Sequence, residues 1–214
     1  DVPQQNHMWS VRVNAISGEL LQKNDYMVSC SFDKEDECNQ QHDFHFNATI
    51  FKPSNSLLET QSGSYRVVPF STESPNHGPR QLIANPQNSV ASPFGWHDID
   101  GVAGADFTIT RGNNVYAFED LEDDDDPEGN YSPDGGTALT FDFPYFGTNT
   151  PAIDYLDAAT TNLFYMNNIM HDVFYQYGFD EENGNFQETN YSNLAEANDY
   201  VLAQSQDGGG TNNA

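Results

Sequence analysis

Apolar and polar side chains alternate in WSVRV, residues 9–13, and a second extended run, LLQKNDYMVS, follows the Gly-containing segment NAISGE, so this stretch predicts a β-hairpin. A lone hairpin is marginal in water and needs other strands to cover it, which makes it read as the end of a larger domain with an upstream part. From residue 30 to 64 the pattern turns polar (KEDE, NQQHDFH, PSNS) with no helical period, as expected of a linker or an exposed processing segment. Beyond this point the stretches YRVVPF, FTIT, NNVYAF and ALTFDF, separated by Pro, Gly and Asn clusters, predict short strands joined by long loops. Residues 119–136, EDLEDDDDPEGNYSPDGG, offer only Leu121 and Tyr131 for burial and predict a surface loop.

The strongest periodic signal runs over residues 154–177, where Leu156, Ala159, Leu163, Met166, Met170, Val173 and Tyr177 recur at spacings of three and four. This predicts a long helix with that stripe facing the core, Asp154 as its N-cap, Asp157 in its first turn, and Gly178 in the left-handed conformation at its end. The fold class is therefore α+β. A polar stretch, a short extended run DYVLAQ and the Gly-rich DGGGTNNA follow the helix.

Charge narrows the functions. Against 33 Asp and Glu the chain carries 7 Lys and Arg, a formal net charge of -26, and such a field repels phosphate backbones and anionic lipid, so neither nucleic acid nor a membrane is expected as a partner. Aromatic residues at 13% of the chain argue for a folded rather than a disordered protein. No run of 18 apolar residues exists, and residues 1–10 contain neither a basic segment nor an apolar signal core. Cys30 and Cys38 would close a short polar loop if bonded; a local disulfide and a pair of free thiols both remain open. Sequons at Asn47, Asn130 and Asn190 fit an extracellular setting.

Five segments in this order resemble one family. YRVVPF, NPQNSVASPFGWHD, TRGNN at residues 110–114, the helix and its sequel through GNFQ at residues 157–187, and AQSQDGGGTNNA are similar to the fungalysins, secreted zinc endopeptidases distantly related to thermolysin. The resemblance implies that residues 65–214 are the β-rich N-terminal part of a thermolysin-like catalytic domain. Residues 1–29 would be the C-terminal remnant of an α+β pro-domain, and residues 30–64 a linker carrying the maturation site. It also implies an extracellular location, a protein or peptide substrate, and the C-terminal half of the catalytic domain as partner. The zinc ligands of the family, an HExxH helix and a later glutamate, are absent from this sequence, so zinc is expected to be bound by residues outside it and the isolated chain to be inactive.

Three groups of residues carry candidate chemistry. Asn212, Asn213 and Ala214 resemble the Asn-Asn-Ala element by which an edge strand binds substrate in thermolysin-like enzymes, and an Asn side chain offers a peptide both a donor and an acceptor. The competing reading is a flexible tail after three glycines. Asp123, Asp125 and Asp126 could gather oxygens for calcium, although the run lacks the EF-hand pattern and a solvated acidic loop is the plainer reading. His171 beside Asp172 invites a catalytic reading, but a histidine on the flank of a helix stripe is more often a hydrogen-bonded packing residue. Two rival functions stay in view: a non-enzymatic truncated or peptidase-like binding or inhibitory module, and an extracellular calcium-binding adhesion module.

Overall fold

The computed structural model describes residues 9–13, 20–25, 63–147, 149–193 and 196–210. The chain divides into two compact units, residues 1–48 and 49–214. In the first, β1 (Trp9–Val13) and β2 (Leu20–Asp25) pair antiparallel with Trp9 opposite Asp25 and a bulge between Arg12 and Val13. Cys30, Cys38, Asn47 and most of the polar segment lie outside the described residues.

The second unit places sheets and one helix around a single aromatic core. β3 (Ser64–Val67) is central in a three-stranded sheet, antiparallel to β4 (Gln81–Ala84) and parallel to the two-residue β6 (Thr140–Phe141). Alternation in β3 buries Tyr65 and Val67, and Tyr65 stacks on Phe141 with centroids 5.2 Å apart. β5 (Val115–Glu119) runs parallel to β7 (Val201–Ser205), with Val115 opposite Val201. Val115 through Phe118 are all buried, the continuous burial of a parallel strand covered on both faces. Of the predicted strands, FTIT contributes only an isolated bridge from Ile109 to Asp134, while β4 lies outside the stretches that predict strands.

Helix α1 (Leu156–Gln176) packs on β3, β5 and β7. It begins differently from the sequence expectation: a 3-10 turn over Ala152–Tyr155 precedes it, and Tyr155, not Asp154, occupies the N-cap without a side-chain bond. Its end follows the expectation, with Gly178 at φ 93° and the Phe179 amide donating to the Phe174 carbonyl. The buried face is a correction. Ala158, Thr161, Tyr165, Asn168 and Asp172 are buried at the same three-and-four spacing, two positions out of phase with the apolar stripe. Two positions are about 200° of helix rotation, so this is roughly the opposite side. Leu163, Met166 and Val173 of the predicted stripe are partly buried against the core, whereas Met170 and Tyr177 are exposed.

Candidate functional site

The polar residues on the buried helix face gather the segments that carry the family resemblance. Asp172 is 1% exposed and accepts four hydrogen bonds. Ser92 Oγ (2.7 Å) and His171 Nδ1 (3.1 Å) donate to its Oδ1, and the Asn88 amide (2.8 Å) and Trp96 Nε1 (3.0 Å) to its Oδ2. A buried carboxylate is tolerated when donors surround it, so this one clamps the segment from Asn88 to Trp96 onto the helix. His171 is held at its other nitrogen as well, where Nε2 accepts from Asn185 Nδ2 at 3.2 Å. Both nitrogens are occupied by the fold, which agrees with a packing role.

The asparagines of TRGNN complete the network. Asn114 Nδ2 donates to Asn168 Oδ1 (3.1 Å) and to Ser92 Oγ (3.2 Å), and its Oδ1 faces Gln187 Nε2. Asn113 makes two bonds with Thr189: its Nδ2 donates to the Thr189 carbonyl at 2.9 Å, and its Oδ1 accepts from the Thr189 amide at 2.7 Å. Gly112 lies against the backbone of the GWHD segment so closely that a Cβ would overlap the Trp96 carbonyl oxygen. Residues recognised as motifs are thus mutual partners in a polar core, and their spacing in sequence reflects packing.

His97 is buried among rings, stacked on Phe141 with centroids 5.3 Å apart. Its Nδ1 donates to the Arg111 carbonyl (2.9 Å), leaving Nε2 to accept from the Tyr65 hydroxyl (2.8 Å). Burial pushes its pKa down from 6.5 to about 4. With the folded value below the unfolded one, the neutral imidazole stabilises the fold fully above the unfolded pKa. That contribution disappears as pH falls from about 6.5 to about 4, a loss of about 3 kcal/mol. Denaturant titrations at pH 7 and pH 4.5 should show it, and His97→Gln should flatten that part of the profile; an equally steep variant profile would place the effect elsewhere.

β7 forms the edge of its sheet among the described residues, with β5 on one side and no strand on the other. The segment after it is anchored: the Asp120 amide donates to the Ser205 carbonyl (3.1 Å) and the Gly208 amide to the Asp120 carbonyl (2.8 Å). A Cβ on Gly208 would strike the Leu121 carbonyl, so this glycine permits close approach of two backbones. Asn212, Asn213 and Ala214, which continue this segment, lie outside the described residues.

The acidic loop is largely exposed, as the sequence predicts, but Asp120 at its root is fully buried. Asp125 Oδ1 accepts from Gln204 Nε2 (2.5 Å) and Asp126 Oδ1 from the Glu128 amide (3.1 Å). Among the described residues, the acidic side chains whose oxygens converge are Asp98, Asp100 and Asp106, and Asp123, Asp125 and Asp126 are not in that group. Neither group includes a histidine, and the ring nitrogens of His97 and His171 are spent on the fold, while His77 is exposed and bonded to Ser74. These residues do not fit a catalytic zinc, which takes imidazole nitrogen together with carboxylate. Asn190, one of the sequons, is 3% exposed and gives its amide to the Glu196 carbonyl, so the folded chain closes it to a glycan.

Two small sheets, one long helix and a polar core define an α+β unit that fits the N-terminal region of a thermolysin-like peptidase. Residues 64–214 match the family described as Fungalysin metallopeptidase (M36), and the chain belongs to that family. It is similar to "Probable extracellular metalloproteinase 5" of Trichophyton verrucosum (strain HKI 0517), 40% identical over 163 residues, 76% of this chain and 25% of the relative. The same identity and coverage hold for "Extracellular metalloproteinase 5" of Trichophyton rubrum and "Extracellular metalloproteinase 1" of Arthroderma otae. The chain spans about a quarter of the length of these curated relatives.

Proposed function

We propose that this chain is the N-terminal portion of a secreted zinc metalloendopeptidase and builds one wall of its substrate cleft. The observation that carries the reading is the edge of β7, unpaired by any strand among the described residues, which leads through the anchored Gly208 toward Asn212, Asn213 and Ala214. A peptide lying along a free strand edge satisfies its own backbone donors and acceptors there. Zinc belongs to residues outside this chain, in the length by which the relatives exceed it. The C-terminal half of the catalytic domain is the partner, and the exposed apolar Met170, Phe174 and Tyr177 on one side of α1 are surface for it to cover. Residues 1–29 are the end of a pro-domain, and residues 30–64 are a linker with the maturation site; the family match starting at residue 64 supports this boundary.

The test uses the full-length protein. Asn213→Ala should lower kcat/KM on a peptide substrate roughly 10-fold or more, the loss of one or two hydrogen bonds to substrate. Unchanged kinetics would remove Asn213 from the site. Hydrolysis of casein that is unaffected by 1,10-phenanthroline would overturn the zinc peptidase reading itself.

A further inference from the structure

We infer that the loop spanning residues 98–106 is a calcium site, built by Asp98, Asp100 and Asp106. The loop is drawn closed at its base, where the amides of Asp106 (2.9 Å) and Phe107 (3.3 Å) both donate to the His97 carbonyl. Within it the three carboxylates each present an oxygen, and these oxygens lie within 4.8 Å of one another. Oxygens sharing one calcium ion at ~2.4 Å can be no more than about 4.8 Å apart, a limit these three oxygens meet. Asp98 is buried, while Asp100 and Asp106 are exposed and leave the site open to an ion from solvent.

The decisive atom is Asp98 Oδ2. Asp98 is 1% exposed, and its Oδ1 already accepts from the Gly101 amide (2.9 Å) and the Tyr191 hydroxyl (2.8 Å). Oδ2 is buried and has no donor in the protein. An ionised oxygen removed from water and left unpaired is costly, and a bound cation supplies the missing partner. Among the described residues no Lys, Arg or His forms an ion pair with any of the three aspartates.

The chemistry of the donors selects the ion. All three are hard carboxylate oxygens, without a nitrogen or sulfur ligand, which suits calcium and not zinc or copper. The remaining positions can be filled by water, since two of the three aspartates face solvent. The other two aspartates also hold the loop in shape: Asp106 Oδ2 accepts from the Ile99 amide (2.7 Å), and Asp100 Oδ1 from the Val102 amide (2.8 Å). Gly101, at φ 72°, turns the chain between them, and a Cβ there would press on the Tyr191 ring at 3.3 Å.

The experiment is calcium titration by calorimetry on the full-length protein after dialysis into calcium-depleted buffer, in parallel with thermal unfolding with and without calcium. The wild type should bind one calcium at this site and unfold several degrees higher in its presence. Asp100→Asn and Asp106→Asn, both exposed, should weaken that binding at least 10-fold and erase the thermal shift while keeping the wild-type circular dichroism spectrum. Asp125→Asn should leave both intact. No saturable calcium binding by the wild type would overturn the proposal. So would binding that survives Asp100→Asn and Asp106→Asn unchanged, or binding abolished by Asp125→Asn alone.

Discussion

Asp172→Ala should destabilise the second unit by about 4 kcal/mol or more and lower its thermal midpoint by roughly 10 °C. The substitution strips the partner from Ser92 Oγ, Trp96 Nε1, the Asn88 amide and His171 Nδ1 together; the first two donors are buried and the other two partly buried. Each buried donor left unsatisfied costs about 1–3 kcal/mol, and the four are coupled through one carboxylate, so their costs are not additive. Asp172→Asn keeps the shape and one good acceptor oxygen and should cost less than Asp172→Ala. Urea unfolding of the two variants measures the difference. A catalytic role for the His171 and Asp172 pair predicts the reverse pattern, full stability with lost turnover, and that outcome would refute the structural assignment.

Gly112→Ala should have an effect at least as large, through sterics alone. A Cβ at this position would sit inside the Trp96 carbonyl, and the nearest atoms are backbone of the GWHD segment, which cannot rotate away as a side chain would. Relief requires moving the 110–114 turn off the segment. That breaks the Gly112 amide bond to the Val115 carbonyl (3.0 Å) and the Asn113 amide bond to the Trp96 carbonyl (3.3 Å). The expected result is failure to accumulate folded protein, read as loss of the folded species in size-exclusion chromatography or of the cooperative unfolding transition. As a comparison, Gly104→Ala meets no atom within 4 Å of the new Cβ, and its cost should come only from its φ of 143°. A folded Gly112→Ala protein with wild-type stability would refute the close approach.

Much of the architecture is legible in the residues. The alternation in SYRV and the unbroken apolar run in VYAF produce β3 and β5, and three-and-four spacing produces α1 to within a turn of its expected bounds. Gly178 ends the helix because a residue without Cβ takes the left-handed conformation at little cost. The edge strand β4, QLIA, shows no apolar and polar alternation and is mostly exposed, so no period announces it. The loop at residues 98–106 shows the same limit: DIDGVAGAD is an ordinary acidic loop in sequence beside EDDDD, which holds more charge. Only the fold converges Asp98 with Asp100 and Asp106 and buries one of its oxygens without a partner.

By itself the sequence determined the α+β class, the helix and its glycine stop, the acidic surface and, through five ordered motifs, the family. The tertiary structure alone decided which side of the helix is buried. Hydrophobic periodicity points to Leu156, Ala159, Leu163 and Met166, yet the fully enclosed stripe includes Thr161, Asn168 and Asp172. The physical reason is that a polar side chain is buried when hydrogen-bond partners meet it there, and those partners come from distant segments. Three of the four donors to Asp172 lie 76 to 84 residues away, and no local period can announce them.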